Sequence, residues 1–155
     1  MNFHFSISDD TLESFETTIL HGKYNFKDKN LLRRALRGFI FIYTDDEGRK
    51  VLAMVGDATL RQILVNQGQE RNMSVGNIQN VITHVASNSH LHERGIDIGL
   101  DPFILKFPGQ LGQPAGRIVM ATTIEAIIGA VYIDSQKNAN DCEAVMAALG
   151  LAWPE

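Results

Sequence analysis

Two stretches constrain this chain more than anything else in it. Val51-Leu52-Ala53-Met54-Val55-Gly56-Asp57-Ala58-Thr59-Leu60 and Met120-Ala121-Thr122-Thr123-Ile124-Glu125-Ala126-Ile127-Ile128-Gly129-Ala130-Val131-Tyr132 are apolar on nearly every side when wound as helices. Helices of that kind belong in the centre of a protein. Yet each carries one carboxylate, Asp57 or Glu125, and one interior glycine, Gly56 or Gly129. An unpaired carboxylate in such a setting costs several kcal/mol or has its pKa forced upward. A mid-helix glycine costs about 1 kcal/mol relative to alanine, and survives where two backbones must approach closely. Together these residues predict two central helices that cross at short distance and bring their acids to one site. Two facing carboxylates can share a proton, take a cationic partner or bind a divalent metal. The residues alone leave a metal site and a structural hydrogen-bonded or salt-bridged pair both open.

The remainder of the chain also reads as helical. Asp10 and Glu13 have capping-box spacing ahead of Leu12, Phe15, Ile19 and Leu20, with Gly22 as the stop. A second helix is expected over 28–37, then a piece over 39–43 that is either a short extended segment or a continuation of it. Long helices follow over 49–66 and 118–135. Shorter ones are expected after a Ser74 cap, after an Asn88 or Ser89 cap up to Gly95, at Asp101-Pro102, and from Asp141 to Leu149. Residues 108–116 hold three glycines and two prolines and read as a loop. No strong β-hairpin signal, repeat or low-complexity tract interrupts this pattern. The expected class is all-α, a helical bundle, and 155 residues suit a single domain with a substantial core.

Composition excludes several function classes. With 45% hydrophobic and 21% charged residues the chain is neither disordered nor fibrous. A single cysteine, Cys142, permits no internal disulfide and favours a reducing compartment. No signal-peptide pattern and no membrane-length apolar run is present, so a cytoplasmic location is expected, with the nucleus as the alternative. Net charge is −4, but residues 23–37 carry Lys23, Lys27, Lys29, Arg33, Arg34 and Arg37 against Asp28 alone. That local +5 leaves −9 on the rest of the chain, so the stripe is either a phosphate-binding edge or a solvated helix face.

Several motifs now combine. Tyr24-x-Phe26 precedes Leu31-Leu32-x-x-Ala35-Leu36; Leu52 to Leu60 contains Gly56-Asp57; a helix running into a turn at Gly99-Leu100 spans 88–100; and Glu125-Ala126-Ile127-Ile128-Gly129-Ala130-Val131-Tyr132-Ile133-Asp134 closes the set. This series resembles the endonuclease domain of the ribonuclease III family over nearly the whole chain. The resemblance implies a homodimer that cuts double-stranded RNA, with Mg²⁺ or Mn²⁺ held by four carboxylates. Mapped residue by residue, the site departs from that pattern. Asp57 and Glu125 match two of the acids, as remnant catalytic and metal-binding residues. Ala53 and Thr122 stand where the other two are expected, and Lys50 replaces a further acidic position of the signature.

Half of an anionic cage is a weak holder of a hard ion. Normal ribonuclease III chemistry is therefore expected to be lost or very weak, with no divalent ion bound tightly. Lys50 could reach toward the site and offset its remaining negative charge. Met54 matches the aromatic plug at the family's dimer interface, so a symmetric homodimer is expected. Lys27, Arg33, Arg34 and Arg37 are the candidate RNA contacts. No double-stranded-RNA-binding module is expected in the residues after Ile133. Three readings follow: a non-catalytic dimer binding RNA or protein, a Mg-dependent double-stranded RNA endonuclease, and a repurposed cavity for a small ligand. His84, His90 and His92 lack the usual spacing of a metal-binding helix pair and read as surface or capping residues. Cys142 reads as a buried filler and Trp153 as packing on the body.

Overall fold

The computed structural model describes residues 6–38, 47–106, 109 and 112–155. Seven α-helices account for most of them: α1 (Asp9–Thr18), α2 (Lys29–Ala35), α3 (Glu47–Glu70), α4 (Val75–Val85), α5 (Asn88–Asp97), α6 (Arg117–Asp134) and α7 (Ala139–Ala148). A short 3₁₀ turn at Asp101–Phe103 follows α5. Among the described residues the one β-type contact is an isolated parallel bridge between Arg37 and Leu105. The all-α expectation holds; the 39–43 segment lies outside the described residues.

Helix α3 and helix α6 form the centre. Most of α6 is buried, from Met120 and Ala121 to Ala130 and Val131, with Thr122 and Glu125 on a partly exposed edge. Helices α2, α3, α5 and α7 pack around it, and the buried apolar residues form one continuous core. Full burial of a Leu or Ile side chain stabilises by roughly 1.5–3 kcal/mol, so this layer dominates the folding free energy.

Helix starts are fixed by side chains that accept the first free backbone N–H groups. Ser8 accepts from Thr11, Asp28 from Asn30, Ser74 from Asn77, Ser87 from His90 and Asn138 from Asp141. Three of these correct the sequence expectation. Ser8, Ser87 and Asn138 are the caps, whereas Asp10, Asn88 and Asp141 already lie inside their helices. Asp10 and Asp141 sit in a first turn, where a negative charge complements the helix dipole. Helix α5 also runs through Gly95 to Asp97, and the missing Cβ of Gly95 makes room for Met120. Asp101 is the first residue of its 3₁₀ turn rather than the cap. Glu47 opens α3, two residues before the expected start at 49.

Buried acids tie the N-terminal part to the centre. Asp134, at the end of α6, accepts from the Tyr24 hydroxyl (2.5 Å) and from the backbone N–H groups of Lys27 (2.9 Å) and Asp28 (2.8 Å). Glu16 accepts from the Phe26 N–H and the Lys29 ammonium, each at 2.5 Å. At the other end, the Trp153 N–H donates to Gln67 Oε1 (3.0 Å), and the Trp153 ring packs under Arg71. Cys142 and Trp153 are both buried, as expected, and burial pushes the Cys142 thiol up to about 11.

Candidate functional site

Gly56 and Gly129 face each other where α3 crosses α6. A Cβ built on Gly56 would fall on the Glu125 carbonyl, and one built on Gly129 would fall on the Leu52 carbonyl. Main chain meets main chain at this point, with no room for even a methyl group. Asp57 follows Gly56 directly, and Glu125 lies one turn before Gly129, so the crossing carries both acids to one edge. The two carboxyl groups lie close enough for each to feel the other's charge.

That edge is partly buried, and its electrostatics follow from burial. The Glu125 carboxyl is pushed up to about 7, first by desolvation, then by the neighbouring Asp57 carboxylate. The Arg61 guanidinium pulls in the opposite direction. Arg61 is also the ion-pair partner of Asp57. It lies one turn further along α3, with Nε 3.2 and 3.1 Å from the two carboxylate oxygens.

The flanking positions hold no acid. Ala53 is buried against the core, and Thr122 is partly buried on α6. The neighbouring Thr123 is turned into the interior. Its hydroxyl donates to the Val119 carbonyl (2.7 Å) and accepts from Arg49 Nη2 (2.8 Å). Thr123 is thus engaged with a buried arginine that sequence reasoning passed over. Lys50 is exposed at the start of α3, two turns from Asp57. Among the described residues the cation that reaches Asp57 is Arg61, a role sequence reasoning offered to Lys50. The i, i+4 spacing of Asp57 and Arg61 was the signal that could have found it.

The basic stripe divides on inspection. Lys29 is engaged by Glu16, and Arg33 by Asp9 and the Ile7 carbonyl. Lys27, Arg34 and Arg37 are exposed and carry no ion pair among the described residues. Met54 is 72% exposed, so it is not part of this chain's core. It projects from the same exposed side of α3 as Val51, Ala58 and Val65. Beside it lies an open groove of about 390 Å³ lined by Val55, Ala58, Thr59, Gln62, Ile63, Asn66, Tyr132 and Ala139. His84 and His90 are brought together, ring centres 4.6 Å apart, at the α4–α5 corner. Burial, then the nearby His84 and Arg94, hold the His90 pKa below its ordinary value. No group of three or more His, Cys, Asp or Glu side chains arranged to hold a metal occurs among the described residues.

A bundle built on two glycine-locked helices, each bringing one carboxylate to a shared edge, matches the fold of a known nuclease domain. The nuclease domain of ribonuclease III from Campylobacter jejuni superposes with a TM-score of 0.72 over 96% of this chain and 100% of its own, at 21% identity. That structure is described for flexibility in a region involved in its dimer formation. Residues 50–136 match the ribonuclease III domain family, and the chain belongs to it. Ribonuclease 3 of Fusobacterium nucleatum is 31% identical over 120 residues, covering 72% of this chain and 51% of that protein. Ribonuclease 3 of Vibrio vulnificus is 28% identical over 116 residues, covering 72% and 50%. The chain spans about half the length of these curated relatives.

Proposed function

We propose that this chain is a ribonuclease III-fold dimer that holds duplex RNA without efficiently cutting it. The observation that carries this reading is that the acid pair already has a cation. Arg61 lies on Asp57, and Glu125 is drawn toward its protonated form by burial and by Asp57. A Mg²⁺ or Mn²⁺ site needs several anionic oxygens in near-octahedral array to hold the ion and lower the pKa of its water. Asp57 and Glu125 supply two carboxyl groups, Ala53 and Thr122 supply none, and Thr123 is occupied by Arg49. These residues do not fit a tightly held divalent ion.

The dimer reading rests on α3. A central helix leaves Val51, Met54 and Val65 exposed along one side, and isolated monomers rarely do so without reason. In a two-fold arrangement each Met54 seats in the partner's groove beside Ala58 and Gln62, a self-complementary contact. Lys27, Arg34 and Arg37 supply a basic edge for the phosphate backbone, and Arg33 contributes less because Asp9 already holds it.

The test is cleavage of long duplex RNA in Mg²⁺ and in Mn²⁺, beside an Asp57→Ala/Glu125→Ala variant. The expected outcome is no cutting above that variant. Efficient cutting by the natural sequence, abolished in the variant, establishes the Mg-dependent endonuclease instead.

A further inference from the structure

We propose that Arg61 is the resident cation of the acid pair and the residue through which this site holds a phosphodiester of duplex RNA. This rests on the function proposed above and assigns the contact within it. Arg61 and Asp57 share one face of α3, so the guanidinium folds back over the carboxylate of its own helix. Only the Nε edge is used, toward the two oxygens of Asp57. Neither Nη amine makes a hydrogen bond among the described residues, and the side chain is 48% exposed.

A guanidinium presents its N–H donors in a rigid fork. With Nε–H turned to Asp57, the Nη groups remain available to the paired non-bridging oxygens of a phosphate. The charges fit as well. Asp57 next to Glu125 would repel a phosphodiester, and Arg61 cancels the ionised member of that pair. A divalent ion does the same two things, neutralising acids on one side and meeting a phosphate on the other. It also activates water as a Lewis acid, which a guanidinium does not. Arg61 therefore accounts for holding without cutting.

The experiment is fluorescence anisotropy of a short labelled RNA duplex with the full chain, in EDTA and at fixed salt. Arg61→Gln is expected to weaken binding about tenfold, equivalent to about 1.4 kcal/mol. Arg61→Lys recovers only part of this, because a point charge cannot span two oxygens while leaning on Asp57. Lys137→Gln removes the same charge from the exposed turn after α6 and serves as the reference for the loss of one surface charge, changing binding less than about twofold. Asp57→Asn frees the guanidinium and tightens binding several-fold, a gain that a misfolded variant would not produce. If the natural sequence binds, and Arg61→Gln binds no worse than Lys137→Gln while Asp57→Asn brings no gain, the assignment is overturned and the proposed function stands. Duplex RNA ignored by the natural sequence overturns the function, and this assignment with it.

Discussion

Glu125 gives the molecule a pH dependence whose sign is set by burial. Its folded pKa of about 7 lies above the ordinary 4.5, so the native state holds this proton more tightly than the unfolded chain does. Its contribution is fully present below pH 4.5, declines as the pH rises toward about 7, and then levels off. Discounted for partial exposure, the decline is about 1–2 kcal/mol. Urea titrations from acid to neutral pH should show natural protein losing that much relative to Glu125→Gln, which lacks the step. Parallel curves for the two proteins would contradict it. Asp134 acts with the opposite sign. Burial raises its pKa, but the Tyr24 hydroxyl and the Asp28 and Lys27 N–H groups outweigh burial and hold it below the ordinary value. Its contribution is present above the ordinary carboxylate range and lost as the pH falls through its lowered folded pKa. Tyr24→Phe removes the hydroxyl donor and should cost about 1.5–3 kcal/mol, the range for a hydrogen bond to a charged group. A denaturation midpoint unchanged by that substitution would show that the two backbone donors suffice.

Helices α3 and α6 are locked by contact between their main chains. Gly56→Ala and Gly129→Ala each place a methyl group on a carbonyl that cannot step aside. Each should cost at least about 3 kcal/mol, since overpacking without a flexible neighbour forces the backbone to shift. Gly76→Ala, on the exposed side of α4 with open space around it, should be neutral or slightly stabilising in the same denaturation series. The crossing was legible in the sequence because glycine and carboxylate are each expensive in an apolar helix, and one geometry explains both. The identity of the cation was less legible. Arg61 has the look of an ordinary solvated arginine, and Lys50 stands at a position where the family pattern drew attention. Helix starts shifted by one to three residues for a related reason. Ser8, Ser87 and Asn138 each have a second polar residue within three positions, and composition does not say which accepts the free N–H groups. Arg49 escaped notice because a charged residue at the start of a helix is presumed to face water, whereas here it is buried against Thr123.

At the scale of the whole molecule, assembly and RNA contact give separable outcomes. Light scattering should report twice the 17.2 kDa chain mass, and Met54→Asp, which puts a charge into the apolar seam, should return the single-chain mass. A mass that stays at the single-chain value for the natural sequence removes the dimer. If Lys27, Arg34 and Arg37 each meet a phosphate, the logarithm of RNA affinity should fall against the logarithm of salt with a slope of about −2 to −3. A flat response would take the basic edge out of the interface. No helix among the described residues is long and apolar enough to cross a membrane. The place where Gly56 meets Glu125 and Leu52 meets Gly129 has one more consequence. A joint made of peptide groups is blind to what the neighbouring positions carry. Residues such as Ala53, Lys50 or Thr122 can be exchanged over generations while the distance between the two rods stays put, so the same frame can be refitted from cutting to gripping without being rebuilt.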